Sequence, residues 1–367
     1  MKKLFVLLYM GLVFTLPGCE TILPVDIPEG EEWGITLNAL ASPDTTFQAY
    51  VTHCYPNSDA PDYNYKNQSI DNYWEPDPYS DYIRSMLYKI SERDGAPPFN
   101  YKKGYDLIKK SVLANAKVEL TVNGNTDYPM VFDTLMLCFQ SNYTPAIGDR
   151  LEVRIDNGNG EQTVARTEVP RPQKLEILEL NTEILEKEEI IGAQAELGLT
   201  SSNRGYVRMK LRLHDPAEEK NYYRLAIRGI IYNKNKTYPI VWDMFQSSDP
   251  IFRDDRLTSS WSIWESFFSN VFDDTLINGN SYEFEVKTYI LGYLYWDGKW
   301  PIYEVSLQSI TEDYYRYLKS LELYRISRTD TYSEGLYIHS NNEGGWGVLG
   351  GISGEVHRVE PFREKYE

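Results

Sequence analysis

Strict alternation of apolar and polar residues is the feature that most constrains how this chain can fold. It runs through residues 116–122, 151–156 and 207–214, and turn residues such as Asn123-Gly124 separate the runs. A repeat of two residues is typical of a strand that buries one face and exposes the other. Strands of this kind, joined by short turns, form antiparallel sheets that bury their apolar faces against each other. The sequence therefore predicts a mainly β fold.

Two prolines mark a predicted domain boundary. Pro170 and Pro172 remove backbone donors from any sheet and favour extended backbone. At 367 residues the chain is also longer than one hydrophobic core usually serves. We predict a β-sandwich of the immunoglobulin-like or transthyretin-like kind over residues 33–172, and a second β-rich domain over residues 173–367.

The second domain is predicted to contain the clearest hairpin of the chain, formed by residues 207–214 and 222–232. Its outward face would carry five basic side chains: Arg208, Lys210, Arg212, Arg224 and Arg228. Two hypotheses follow, an anion-binding site or pairing with the abundant Asp and Glu.

One helix and one further strand are predicted from residue spacing. Residues 131–139 favour a single strand. An amphipathic helix is predicted to begin near Thr311 and to pack on the second sheet. Its apolar face would contain Tyr314, Tyr317, Leu318, Leu321 and Tyr324.

The N-terminus resembles a lipoprotein signal peptide. Lys2 and Lys3 precede an apolar run of 13 residues, and Leu16-Pro17-Gly18-Cys19 follows. A membrane-spanning helix needs roughly 20 apolar residues, so the run is too short for a permanent span. We predict that residues 1–18 are removed and that Cys19 is acylated. An ordinary signal peptide cut elsewhere, or an N-terminal anchor, is the alternative.

Charge restricts how such a protein can reach a membrane. The formal net charge is −17, and removal of Lys2 and Lys3 would make it −19. This charge repels nucleic acid and anionic lipid, so the acyl group would have to supply the attachment. The Pro-rich and acidic residues 19–32 predict a flexible tether behind it.

A tyrosine-rich insertion is the predicted binding element. Residues 53–115 interrupt the strand pattern, and an insertion this long is usually functional or disordered. Aromatic side chains give large contact areas at low entropic cost. We predict ligand-binding roles for four of them: Tyr63, Tyr65, Tyr73 and Trp74.

The sequence contains no set of residues that predicts catalysis, a metal site or a cofactor. Its four histidines lack metal-ligand spacing. Gly345–Gly350 matches the dinucleotide fingerprint, but no βαβ unit surrounds it, so a strand with close backbone packing is preferred. Four carboxylates leave glycoside hydrolysis open as a rival activity: Asp254, Asp255, Asp273 and Asp274. Cys54 and Cys138 are either a disulfide or two buried thiols.

Several motifs, taken in order, resemble a family of Bacteroidota outer-membrane lipoproteins known as domain of unknown function 4249. These are Ala116–Leu120, Gly148-Asp149, Val169-Pro170, Asp215-Pro216, Asn221-Tyr222-Tyr223, Asp273 with Gly279, the Tyr314–Leu321 helix, Ser340-Asn341 and Gly347–Gly350. Acidic residues soon after Cys19 also resemble the surface-export signal of lipoproteins from that phylum. The resemblance implies a location on the cell surface beside TonB-dependent receptors, and it supplies no catalytic residues.

Together these features predict a lipid-anchored outer-membrane surface protein without enzymatic activity. It would capture a glycan or peptide ligand for a TonB-dependent receptor, or dock onto that receptor as an accessory. A surface glycan hydrolase and a structural or adhesive lipoprotein are the alternatives.

Overall fold

The structure is a computed structural model that describes eleven stretches of the chain. They are residues 34–53, 111–124, 126–134, 136–184, 203–217, 219–231, 240–243, 245–254, 268–291, 301–327 and 337–361.

Strands dominate the described residues. The first eight are β1 (Ile35–Ala41), β2 (Gln48–His53), β3 (Lys117–Val122), β4 (Thr126–Pro129), β5 (Val131–Asp133), β6 (Cys138–Gln140), β7 (Arg150–Asp156) and β8 (Gln162–Glu168). The others are β9 (Leu175–Ile184), β10 (Asn203–His214), β11 (Tyr222–Ile231), β12 (Ile240–Asp243), β13 (Phe245–Gln246), β14 (Val271–Asp273), β15 (Ser281–Leu291), β16 (Ile302–Ile310) and β17 (Gly345–Val359). With the helix α1 (Glu312–Ser327), they confirm the predicted mainly β fold.

The described strands form three sheets, and the largest contains strands from both halves of the chain. Its order is β12-β11-β16-β17-β1-β2-β6-β5, with β14 paired to β11, and the smaller sheets are β13-β15-β10-β9 and β4-β3-β7-β8. The long β17 joins the halves, because Gly345–Gly351 pairs in parallel with β1 and Ile352–Val359 pairs antiparallel with β16. One hydrogen-bonded sheet therefore contains strands from before and after residue 172. The predicted domain division at that residue stays a prediction.

In the part of the chain that the structure describes, two separate apolar cores lie between the large sheet and the small ones. In the first, Leu120 and Val153 of β3 and β7 pack with Leu37 and Val51 of β1 and β2, as in a sandwich. All buried members of this cluster come from residues 35–169 except Leu349 of β17. The immunoglobulin-like or transthyretin-like topology stays a prediction.

The predicted hairpin of residues 207–214 and 222–232 is wrong. β10 pairs with β9 and β15, whereas β11 pairs with β12, β14 and β16. The two strands belong to different sheets, and their apolar side chains meet across the second core, where Met209 lies in the same cluster as Leu225. Alternation identifies the buried face of each strand, but it is the same for a hairpin and for two strands that face each other.

The single strand predicted over residues 131–139 is also wrong. β5 and β6 are two short antiparallel strands, with Val131 opposite Gln140 and Asp133 opposite Cys138. The Asp133 carboxylate accepts a hydrogen bond from Met136 N at 3.0 Å, and Leu137 has a left-handed φ of 53°. These contacts turn the chain back inside an apolar run that contains no glycine or proline.

The predicted helix is present, and it covers the large sheet. α1 begins after Thr311 and carries Glu312 and Asp313 in its first turn, where their negative charges interact favourably with the helix dipole. Tyr314 and Leu318 are buried against Val271, Ile310 and Val348 of three strands. Within the described residues, no helix has both the length and the apolar composition needed to cross a membrane.

Glycines let β17 lie close to its neighbours. A Cβ added to Gly351 would lie 1.9 Å from the carbonyl oxygen of Glu168, and one added to Gly350 would lie 2.8 Å from the Tyr314 side chain. Gly347 has a left-handed φ of 94°. The glycine run that imitates the dinucleotide fingerprint therefore serves close packing, as predicted.

Candidate functional site

Two large aromatic side chains are exposed next to each other at the start of β17. Tyr337 is 66% exposed and Trp346 is 41% exposed. Their ring centroids are 6.0 Å apart and the ring planes are inclined by 58°. Among the residues whose side-chain exposure the structure describes, the other aromatic side chains are buried or half-buried. We call them the aromatic pair.

The segment that carries Tyr337, residues 337–343, is held by hydrogen bonds on both sides, and we call it the strap. His339 N donates to Ser320 Oγ of α1 at 2.9 Å. Asn341 bonds both the N–H and the carbonyl of Leu349 in β17, at 3.0 and 2.9 Å. At its far end Glu343 pairs with Val164 of β8. The strap therefore has a fixed path between the helix and two strands.

Trp346 is held through its backbone. It pairs in register with Thr36 of β1, and its carbonyl accepts a hydrogen bond from the buried amide of Asn342. The same amide group donates to the Leu37 carbonyl at 3.1 Å. The main chain below the indole ring is thus fixed while the ring itself reaches solvent.

The strap that carries Tyr337 also holds polar groups against α1. His339 Nε2 donates to Asp313 Oδ1 at 2.9 Å, and Asn341 Nδ2 donates to Asp313 Oδ2 at 3.4 Å. The Asp313 side chain remains 45% exposed. A carboxylate has about four acceptor positions, so Asp313 can accept further hydrogen bonds from a ligand.

The aromatic pair lies at the end of the sheet where the tyrosine-rich insertion leaves and returns. One row across the sheet contains Trp346, Thr36, Thr52 and Val112, each paired with the next. His53 ends β2 directly after Thr52. The predicted binding residues Tyr63, Tyr65, Tyr73 and Trp74, and the predicted lipid-bearing Cys19, lie outside the described residues. Their roles stay predictions.

The candidate catalytic carboxylates are engaged in internal contacts. Asp254 is buried and forms an ion pair with the buried Lys319 at 2.9 Å. Asp274 is also buried, and it accepts from Asn221 N at 2.7 Å and pairs with Lys220 at 2.7 Å. Asp255 lies outside the described residues.

Asp273 caps the short 3-10 turn that follows β14. Its carboxylate accepts from Thr275 N at 2.9 Å and lies 3.3 Å from Lys220 Nζ. Partial burial alone would raise the pKa of Asp273, but the bonds to Thr275 and the charge of Lys220 outweigh it and lower that pKa. A general acid needs a raised pKa, so this carboxyl is poorly suited to that role.

The basic side chains of β10 are paired within their own sheet. Arg208 lies 3.1 Å from Glu183, Lys210 lies 2.9 Å from Glu283, and Arg212 lies 3.3 Å from Glu176. Arg224 and Arg228 lie on β11 in the large sheet. The five cations therefore do not share one face, and for β10 the structure favours ion pairs over an anion site.

Metal-ligating side chains are dispersed. Within the described stretches, no three His, Cys, Asp or Glu residues come together in a way that would hold a metal ion. His214 contacts Ser281 Oγ at 2.7 Å across β10 and β15. Cys138 is buried in β6, and Cys54 lies outside the described residues, so the choice between a disulfide and two thiols stays open.

A concavity of about 690 Å³ covers the outer face of β3, β7 and β8. The arginines that line it form ion pairs with neighbouring glutamates. Arg166 lies 2.6 Å from Glu152 and 2.7 Å from Glu343, and Arg150 lies 3.2 Å from Glu168. Surface pairs like these leave little net charge for a ligand.

Two buried aspartates organise turns at the ends of the strands. Asp215 accepts from the hydroxyl of Tyr223 at 2.5 Å and from Gly279 N at 2.9 Å. Asp149 accepts from the hydroxyl of Tyr143 and from Ala146 N at 2.7 Å. Both aspartates belong to motifs that carry the family resemblance, and both serve the fold.

Comparison of the sequence with protein families finds one match. The sequence model of the family described as a domain of unknown function (DUF4249) matches residues 20–357, which is most of the chain. The chain belongs to the DUF4249 family. Searches of curated proteins and of solved structures found no match. The family assignment confirms the resemblance predicted from the sequence.

The residues that carry the DUF4249 resemblance form the turns at Asp149 and Asp215 and part of β17, the strand that joins the two halves. Trp346 of the aromatic pair directly precedes the motif Gly347–Gly350. Sequence reasoning missed Tyr337 and Trp346. Trp346 occupies a variable position of the glycine run, and Tyr337 lies in a stretch without strand alternation. The signal that could have identified Trp346 is a single large aromatic residue between two glycines.

Asp149 gives the DUF4249 fold an acid-sensitive contact. Burial alone would raise the pKa of Asp149, but hydrogen bonds from Tyr143, Ala146 and Asn123 outweigh it and lower the pKa. Burial and the bond to Asp149 raise the pKa of Tyr143 to about 12. A carboxyl group whose pKa is lower in the folded state stabilises the fold at pH values above its unfolded pKa of about 3.9. This stabilisation is lost as pH falls from that value through the lower folded-state pKa.

We expect Asp149→Asn to lower the free energy of unfolding by about 1–3 kcal/mol at pH 7, because it removes a buried charged acceptor. The difference from the parent protein should shrink as pH falls below about 4, because the unfolded parent chain then takes up a proton that the folded carboxylate, with its lowered pKa, still excludes. Urea midpoints measured between pH 3 and 7 test this. Asp44→Asn, in an exposed turn, is the control and should change stability by about 0.5 kcal/mol or less. Equal effects of both variants at pH 7 would contradict the prediction.

Proposed function

We propose that this DUF4249 protein is a lipid-anchored outer-membrane surface protein that captures a ligand without transforming it, as an accessory of a TonB-dependent receptor. The observation that carries the binding role is the exposed aromatic pair on the hydrogen-bonded strap. Large aromatic side chains held in place and left exposed are typical of binding surfaces.

Three features of the chain support the proposed location. The run from Lys2 to Cys19 has the order of a lipoprotein signal peptide. The acidic residues that follow resemble a surface-export signal. The charge of −17 leaves acylation, rather than a basic patch, as the means of membrane attachment.

The internal contacts of the acidic residues favour binding over hydrolysis. Glycoside hydrolysis needs two carboxyl groups that face a common substrate, about 5–9.5 Å apart. Asp254 is committed to Lys319, and Asp274 to Asn221 and Lys220. These internal contacts support a binding role over hydrolysis.

Membrane attachment is tested by changing Cys19. We expect Cys19→Ser to move the protein from the membrane fraction to the soluble fraction, because the acyl chains have no other attachment point. Cys54→Ser is the matched control and should remain in the membrane fraction. Mass spectrometry of the native N-terminal peptide should find residues 1–18 absent and Cys19 acylated. An unmodified Cys19 behind an intact leader would refute the anchor.

The receptor role is tested by identifying what co-purifies with the protein from detergent-solubilised outer membrane. We expect a TonB-dependent receptor as the main partner. A deletion strain should grow more slowly when the transported nutrient is limiting. Unchanged growth on every defined nutrient would favour the structural or adhesive alternative. Turnover of a polysaccharide that is lost in a folded Asp273→Asn variant, whose carboxyl is partly exposed, would favour the hydrolase.

A further inference from the structure

We infer that the aromatic pair, Tyr337 and Trp346, is a stacking platform for the pyranose rings of a neutral glycan. The inference rests on the proposed function and names the class of ligand that its binding surface would take. It stands on the geometry of the two rings, on the polar groups of the strap that carries Tyr337 and on the charge of the protein.

The geometry of the aromatic pair suits sugar rings. An aromatic face carries negative electrostatic potential, and the C–H face of a pyranose is apolar and weakly positive, so the two attract when stacked. Rings with centroids 6.0 Å apart and planes inclined by 58° form an open corner rather than a flat stack. Such a corner can contact two sides of one sugar, or two successive sugars whose planes differ.

The polar groups of the strap that carries Tyr337 suit the hydroxyl groups of a sugar. Asp313 is 45% exposed, and its two oxygens are oriented by His339 and Asn341. A carboxylate held in this way accepts strong hydrogen bonds from hydroxyl donors. Apolar face and hydroxyl edge are the two surfaces that a pyranose presents, and the rings and the strap offer a partner for each.

The charge of the protein selects neutral glycans over charged ones. The chain has a net charge of −17, and the exposed acceptor bonded to the strap, Asp313, is itself a carboxylate. Sulfated or uronate-containing glycans would be repelled by both. In the described residues, the basic side chains of β10 are engaged in ion pairs within their own sheet.

The site is also formed before the ligand arrives. The strap is tied to α1, β8 and β17 by the hydrogen bonds of His339, Asn341 and Glu343. The Trp346 backbone is fixed by Asn342. Little ordering is then required on binding, which allows a small contact area to give useful affinity.

The test is affinity electrophoresis of the purified protein in native gels that contain one neutral polysaccharide each: a β-glucan, an α-glucan, a mannan, a xylan or a galactan. We expect retardation by at least one of them. Trp346→Ala and Tyr337→Ala should each weaken this binding at least about tenfold, because the main stacking surface is removed. Trp346→Phe should retain part of it. Val356→Ala, an exposed side chain further along β17, is the control and should bind like the parent protein.

Three outcomes would overturn the inference. They are no retardation by any of the five polysaccharides, retardation that persists in the Tyr337→Ala/Trp346→Ala double variant, and binding of a casein-derived peptide mixture in place of glycans with the same dependence on Trp346. Each leaves the proposed function intact if Cys19 is acylated and the receptor co-purifies. Conversely, retardation by a glycan together with an unmodified Cys19 would overturn the location while supporting the platform.

Discussion

Replacement of Lys319 by methionine is expected to lower the free energy of unfolding by about 3–5 kcal/mol. Lys319 lies on α1 and is buried with Asp254, 2.9 Å away, while Glu322 lies 3.8 Å from the same ammonium group. Loss of the cation would leave a buried carboxylate without its opposite charge, which is far more costly than the loss of an exposed pair. Urea unfolding at pH 7 measures the change.

Arg316→Met is the matched control for Lys319→Met. Arg316 lies on the same helix and pairs with Glu312, but both side chains are about half exposed. We expect a change of about 0.5 kcal/mol or less, since exposed pairs contribute little. The double variant Asp254→Leu/Lys319→Met should be more stable than Lys319→Met alone, because it leaves no unpaired charge. Equal midpoints for Lys319→Met and Arg316→Met would show that the buried pair contributes no more to stability than the exposed one.

Gly351→Ala is expected to lower the free energy of unfolding by about 3 kcal/mol or more. The added Cβ would lie 1.9 Å from the Glu168 carbonyl oxygen, a backbone atom that cannot move without displacing the end of β8. Gly351 also exchanges hydrogen bonds with Thr311, at 3.0 and 3.1 Å, where α1 begins. The substitution therefore disturbs β8, β17 and the start of the helix together.

Gly158→Ala is the control for Gly351→Ala. Gly158 has a left-handed φ of 79°, but a Cβ there would meet no atom within 4 Å. Its expected cost is only about 1 kcal/mol, from backbone conformation. Thermal or urea unfolding of both variants tests the prediction. If Gly351→Ala were no worse than Gly158→Ala, close packing would not be the reason for a glycine at residue 351.

Much of the local structure could be predicted from the sequence, because alternation reports directly on which side of a strand is buried. Residues 116–122 and 151–156 became β3 and β7, and the spacing after Thr311 became α1. The partners of the strands could not be predicted in the same way. β10 and β11 lie close in sequence and alternate alike, yet they belong to facing sheets, since pairing is decided by contacts far away in the chain.

The candidate site shows the same limit. The four predicted binding residues of the insertion lie where tyrosines cluster in the sequence, and they lie outside the described residues. Tyr337 and Trp346 are separated by eight residues and do not stand out by composition. They come together because the strap turns back along β17 at Glu343 and Gly344, where Gly344 has a left-handed φ of 80°. Clusters that depend on such a reversal are visible only in three dimensions.

The pairing of β1 with β17 has a consequence for biogenesis. One of the first strands to be synthesised remains without this neighbour until the last 23 residues of the chain follow, and Leu349 of those residues also completes the core around Leu37. Contacts between such distant positions form slowly. A newly made chain therefore stays incompletely folded, and exposes apolar residues of β1 that chaperones can bind, until β17 has been synthesised.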